Sequence, residues 1–163
     1  MLAVRRATSC DKEFIWRVHT SAIREICKTH YTEREIEAWV MPLRPGSYEW
    51  PIHNGEFYVA EKDGEVVGFG QVSQTQVEAI YVSPKHLRNG VGKLILQTLE
   101  ERAVDLGAGY LEVLSSLNAV SFYERAGYHS LGPATYMLRP GISIAYVRMS
   151  KSLNKQQEDT FCR

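Results

Sequence analysis

The chain has 163 residues, 44% of them apolar and 23% charged, with 19 basic and 19 acidic side chains, so its formal net charge is zero. That length predicts one domain, able to bury roughly 70% of the surface its unfolded chain exposes. A balanced charge argues against a general nucleic-acid binder, and no apolar run approaches the ~18–20 residues of a membrane helix.

The first ten residues, MLAVRRATSC, hold an Arg pair with no apolar run behind it, so neither a secretory nor a twin-arginine leader is expected. Cys10, Cys27 and Cys162 are odd in number and widely spaced, which fits no disulfide framework and no CxxC metal site. A reduced, cytoplasmic protein is the simplest expectation. A single domain is expected over residues 1–153, followed by a polar tail at 154–163.

Leu2 to Arg6 reads as an entering strand. Residues 11–29 read as a helix capped by Asp11, with Phe14, Ile15, Val18, Ile23 and Ile26 at helical spacing. Thr32-Glu33-Arg34-Glu35 is a capping box, which starts a second helix with Ile36, Trp39 and Val40 on its buried face. Pro42 and Pro45-Gly46 end it, and 41–55 reads as an irregular connection. Phe57–Glu61 and Val66–Val72 flank the turn dipeptide Asp63-Gly64 and predict a hairpin, and 76–82 adds a third strand. After SPKHLRNGVG a long helix runs to about Leu106, with Leu94, Ile95, Leu99, Ala103 and Leu106 on one side and Gly107 as its stop. Tyr110–Leu114 is a strand, 119–126 a short helix closed by Gly127, and Tyr128–Leu131 and Ser143–Met149 late strands. Meander followed by strand–helix–strand crossovers predicts an α/β domain with a mixed sheet.

The most informative segment is Leu87-Arg88-Asn89-Gly90-Val91-Gly92-Lys93, between a strand and a strong helix. A helix start aims several free N–H groups at one point under positive dipole potential, and glycines allow close approach, which suits a phosphate. An ATP-binding P-loop is excluded because Lys93 is followed by Leu94 and position 87 is not glycine. A dinucleotide fingerprint is excluded because Ile95 stands where the third glycine is needed. A plain helix-start turn is the alternative that the segment alone leaves open.

VSPKHLRNGVGKLIL resembles the acetyl-CoA-binding signature of the GNAT (GCN5-related N-acetyltransferase) superfamily: Val82 and Pro84 match the approach, and Gly90 and Gly92 the glycines. Leu87 departs from the Arg or Gln of the first signature position, while Arg88 and Lys93 can supply the charge. Asn118, Ala119, Phe122, Tyr123 and Gly127 match a later family motif, and the hairpin with Gly68 matches a third region. The resemblance covers about residues 3–150, and HYTEREIEAWV looks like a bacterial subgroup of small GNAT proteins.

The resemblance implies a mixed sheet in which two parallel strands, here 76–82 and 110–115, splay apart to admit acetyl-CoA as co-substrate. The backbone of Ile80, Tyr81 and Val82 would meet the pantetheine arm, and the amides of Arg88, Asn89, Gly90, Val91, Gly92 and Lys93 would hold the pyrophosphate. Asn118 would touch the pantetheine or cap the helix at 119–126. The implied reaction is direct attack of a primary amine, on a small molecule or peptide, upon the thioester within a ternary complex. Glu78 is the candidate base, acting through water, with a solvent-facing glutamate as the plain alternative. Tyr123 is the candidate acid for the leaving thiolate and a further cofactor contact, and the Ile80 N–H the candidate oxyanion donor. His30, Tyr31, Trp39, Tyr48, Trp50, Tyr136 and Tyr146 are candidates for an aromatic acceptor pocket or for core packing. The histidines show no metal-ligand spacing, and this chemistry calls for no metal. The expected partners are acetyl-CoA and an amine, with neither nucleic acid nor membrane, in a monomer or homodimer. A non-catalytic acyl-CoA-binding sensor or partner module is the alternative function.

Overall fold

The computed structural model describes residues 1–154; apart from Asn154, the expected polar tail, with Cys162, lies outside the described residues. Seven strands, β1 (Leu2–Arg6), β2 (Glu56–Lys62), β3 (Glu65–Ser73), β4 (Gln76–Val82), β5 (Tyr110–Ser116), β6 (His129–Arg139) and β7 (Ile142–Ser152), form one sheet in the order β1-β2-β3-β4-β5-β7-β6. Only β4 and β5 run parallel; every other neighbouring pair is antiparallel. Five α-helices flank it: α1 (Lys12–Ile26), α2 (Glu33–Val40), α3 (Glu49–Asn54), α4 (Val91–Asp105) and α5 (Val120–Arg125). The mixed α/β sheet expected from the alternation of elements is therefore the observed architecture.

One face of the sheet packs on α4, where Ile95, Leu96 and Leu99 meet Val67, Val77, Leu111 and Met149. Gly68 and Gly70 of β3 let that helix come close: a Cβ on Gly70 would stand 2.5 Å from the Ile95 side chain. The other face is covered by α1, whose Ile15 and Val18 pack on Phe57, Phe69 and Tyr48. A third cluster joins Ile23, Cys27 and Tyr31 to Ile36 and Val40 of α2 and Ile144 of β7. Each such side chain contributes about 1.5–3 kcal/mol when fully buried.

Several local expectations are corrected. Asp11 does not cap α1; its carboxylate accepts from Arg5 (2.8 Å) and the Thr8 N–H (2.8 Å), because a buried charge takes the strongest donors in reach. Phe14 and Leu106, assigned to apolar faces, are 48% and 54% exposed, since the neighbouring elements cover narrower stripes than the periodicity allows. The connection at 41–55 is not irregular throughout but holds a 3₁₀ turn (Pro45–Tyr48) and α3. The late strands extend to eleven residues each as a long hairpin, carried by cross-strand pairing that short apolar runs do not announce.

The capping box at Thr32 forms as its spacing requires: the Thr32 hydroxyl accepts from the Glu35 N–H (3.2 Å), and the Glu35 carboxylate from the Thr32 N–H (3.1 Å).

Candidate active site

The parallel pairing of β4 and β5 is confined to Gln76 with Glu112 and Val77 with Val113. Beyond Val77 the two strands separate. The cause lies in β4. Its register against β3 shifts so that Val72 faces Val77 while Gln71 faces Ala79, which leaves Glu78 as the extra residue of a β-bulge. A bulge bends its strand and increases local twist. It also changes which backbone groups face which neighbour. The Ser83 N–H donates to Val67 in β3 (2.8 Å), so by alternation Tyr81 also bonds to β3, and the N–H and C=O of Ile80 and Val82 face the gap.

A cleft of about 890 Å³ opens there, lined by Ile80, Tyr81, Val82, Arg88, Gly90, Val91, Gly92, Lys93, Asn118 and Tyr123. Of the residues expected to hold the co-substrate, only the exposed Asn89 does not line it. Gly90 sits at φ 78° as the N-cap of α4, and Arg88 before it at φ 61°. This left-handed turn frees the first amides of α4: the Leu94 N–H already bonds to Gly90 (3.0 Å), while those before it have no intrahelical acceptor. Space around a Cβ on Gly90 is open, so glycine is required there by its backbone angle rather than by crowding. Arg88, Lys93 and Arg125 line the same cleft, which is therefore basic in a chain of zero net charge. Lys151, also in the lining, is paired with Glu100 (3.0 Å).

Asn118 does not cap α5, whose N-cap is Ala119; its Oδ1 is buried without a partner beside the cleft. His86 Nδ1, also in the lining, is the other buried side-chain nitrogen or oxygen without a partner among the described residues. These two atoms, the free amides of α4 and the open backbone of β4 suit a long ligand with an anionic end and an amide-bearing arm, as acetyl-CoA is.

A smaller recess of about 50 Å³ adjoins the splay, lined by Glu78, Ile80, Leu114, Tyr123 and Tyr146 among others. The two candidate catalytic side chains thus share one recess. Glu78 is exposed at its rim, and its carboxylate accepts from the Ser73 hydroxyl (2.5 Å). Tyr123 is 5% exposed and lines both cavities; burial pushes its pKa well above the ordinary tyrosine value.

The seven aromatic side chains considered for an acceptor pocket do not assemble into one. Tyr31, Trp39 and Tyr146 meet edge to face, with ring centroids 5.4 Å and 6.3 Å apart along the series. Tyr48 lies in the core against Phe57 and Phe69 and contacts His19 Nδ1 through its hydroxyl (2.9 Å). Trp50 and Tyr136 are 73% and 56% exposed, and His30 is exposed. His86, Ser121, Arg125 and Lys151 line the cleft without having been singled out in the sequence, because they lie outside the motif positions that mark the family resemblance. No group of three or more His, Cys, Asp or Glu suited to a metal ion occurs among the described residues, and no helix there is long and apolar enough to cross a membrane.

The chain is 33% identical over 91 residues to the peptidyl-lysine N-acetyltransferase YiaC of Escherichia coli, a match spanning 55% of this chain and 58% of that protein. It is 26% identical to the peptidyl-lysine N-acetyltransferase YjaB of Salmonella typhimurium, over 81% of this chain and 86% of that one. Among solved structures, a GCN5-related N-acetyltransferase from Rhodopseudomonas palustris superposes with a TM-score of 0.88 at 25% identity, covering 92% of this chain and 94% of that chain. The PaiA N-acetyltransferase of Thermoplasma acidophilum, solved in complex with coenzyme A, superposes with a TM-score of 0.79 at 17% identity, covering 93% and 99%. The Acetyltransferase (GNAT) domain family matches residues 27–153, and the chain belongs to that family.

Proposed function

We propose that this chain is an acetyl-CoA-dependent N-acetyltransferase, formed as one domain over residues 1–153, that acetylates a primary amine of a small molecule or peptide by direct attack. The observation that carries this reading is the splay of β4 from β5 beside the uncapped start of α4, with the unpartnered Asn118 Oδ1 in the same cleft. The amides from Arg88 to Lys93 hold the pyrophosphate, and the open backbone of Ile80 and Val82 pairs with the pantetheine arm as an added strand would.

The attacking amine must be neutral, although a free alkylamine has a pKa of about 10. Glu78, at the rim of the recess, takes the amine proton through a water. As the C–N bond forms, the Ile80 N–H donates to the carbonyl oxygen taking up negative charge. The C–S bond breaks, and the Tyr123 hydroxyl donates to the departing sulfur. A raised tyrosine pKa against a thiol value near 8.5 favours a strong hydrogen bond to the thiolate over complete proton transfer.

Two relatives are named peptidyl-lysine N-acetyltransferases, which supports a lysine side chain as the first acceptor to try. Cys10 and Cys27, unpaired among the described residues, suit a reduced, cytoplasmic setting. The test is calorimetric binding of acetyl-CoA, CoA and ATP, followed by thiol release across an amine panel. Binding of both CoA compounds but not ATP, with release on at least one amine, is expected. Failure to bind either CoA compound sinks the proposal; binding with no turnover on any amine favours a sensor module instead.

A further inference from the structure

The reaction described above makes no use of residues 27–32, the segment that joins α1 to α2. Tyr31 stands in it, 6% exposed, just ahead of the Thr32 cap. Its hydroxyl makes two hydrogen bonds to distant parts of the chain. It donates to the Ala145 carbonyl of β7 (2.5 Å) and accepts from the Leu117 N–H (3.0 Å). Burial raises its pKa, so the proton needed for the bond to Ala145 stays in place at neutral pH. The ring is fixed edge-on by Trp39 at 5.4 Å.

Leu117 opens the single 3₁₀ turn, Leu117–Ala119, that carries Asn118 and feeds α5 with Tyr123. Neither that turn nor α5 has a side-chain cap. The Tyr31 hydroxyl is therefore the partner that ties the first N–H of the turn to the body of the sheet.

We infer that Tyr31 is a positioning residue: its hydroxyl pins the β5–α5 turn to β7 and so holds Asn118 and Tyr123 in place across the gap from β4. It also links the segment between α1 and α2 to the co-substrate side of the cleft. The part of this inference that concerns acetyl-CoA rests on the proposed function; the pin itself does not.

Tyr31→Phe keeps the ring and removes both bonds. In this variant the Leu117 amide should exchange with solvent at least about 10-fold faster than in the wild type, as loss of one buried hydrogen bond allows. Acetyl-CoA should bind about 3- to 10-fold more weakly, with kcat lowered as well. Trp39→Phe alters the edge-on support of the ring but keeps the hydroxyl, and should speed Leu117 exchange by less than Tyr31→Phe does. Wild-type exchange at Leu117 and wild-type affinity in the Tyr31→Phe variant would overturn the inference. If that variant does not fold, the wild type decides: Leu117 should exchange at least about 10-fold more slowly than Asn118 and Ala119, and equal rates overturn the pin. Absence of acetyl-CoA binding by the wild type would defeat the proposed function, while the exchange rates still judge the pin.

Discussion

Tyr123 shows how one side chain acquires a role from its surroundings. Its ring is packed edge to face between Phe122 (5.0 Å) and Tyr128 (5.4 Å), which fixes the direction of the hydroxyl. Burial raises its pKa, which keeps that hydroxyl protonated at neutral pH, as the proposed donor role requires. Tyr123→Phe should lower kcat by about 10²-fold while the Kd for acetyl-CoA stays within about 2-fold, read by thiol release and calorimetry. Unchanged turnover would remove Tyr123 from the reaction. Glu78 presents the opposite environment, exposed and bonded to the Ser73 hydroxyl. Glu78→Gln should lower kcat by about 10- to 100-fold, with the deficit shrinking as pH rises and more amine is neutral without help. A pH-independent deficit would point to a structural part for Glu78 in the bulge.

Two elements set the geometry of the cleft, and each depends on glycine for a different reason. At the start of α4, Gly90 adopts φ 78° with open space around its Cβ position. Gly90→Val forces a β-branched residue into the left-handed region, at about 1–2 kcal/mol or more, and turns the free amides away. Acetyl-CoA affinity should fall by at least about 10-fold, with only a few degrees lost in Tm. Equal affinity would remove the pyrophosphate assignment. In β3, by contrast, Gly70 has no unusual angle but lies under α4, where an added methyl meets Ile95 at 2.5 Å and Leu99 at 3.1 Å. Gly70→Ala should cost about 1–3 kcal/mol by overpacking and lift α4 from the sheet. The expected readout is a lower Tm, with a smaller loss of affinity than Gly90→Val causes. A Tm equal to the wild type would mean that α4 shifts freely, against the close packing described.

At the scale of the whole molecule, acid should be the destabilising direction. Burial pushes the His19 imidazole down to about 3, so it is neutral in the folded chain. Its contribution is complete above the unfolded value of about 6.5 and drains away as pH falls from there toward about 3. Glu56, held by Arg102 (2.9 Å), is depressed to about 2, and Asp11 is held low by Arg5. Both carboxylates add stability at neutral pH that is lost as pH falls through their folded values. Tm should therefore drop by at least about 5 °C between pH 7 and pH 4, given that 1 kcal/mol moves a chain of this size by about 2–4 °C. His19→Gln should flatten the upper part of that profile, between about pH 6.5 and 4.5. A profile parallel to the wild type would show that His19 is not the group responsible.

Features written within a few consecutive residues could be read from the chain directly. The Thr32–Glu35 box, the Asp63-Gly64 turn, the glycines that open α4 and stop it at Gly107, and Gly127 at the end of α5 all work through contacts at most five residues apart. Local backbone chemistry is enough to specify them. The motif order also made the family and the lining of the cleft legible. Features that depend on partners far along the chain were not. The bulge at Glu78 that parts β4 from β5 exists only against β3 and β5. Asp11 turned from a cap into the partner of Arg5 because Arg5 is delivered to it by β1. Tyr48 went to the core and Tyr31 to the turn at Leu117, a bond spanning 86 residues, although both read alike as aromatic side chains near the acceptor side. An apolar ring records that it will be buried but not against what; that choice waits until the sheet and its helices have assembled and distant groups compete for the same donor or cavity.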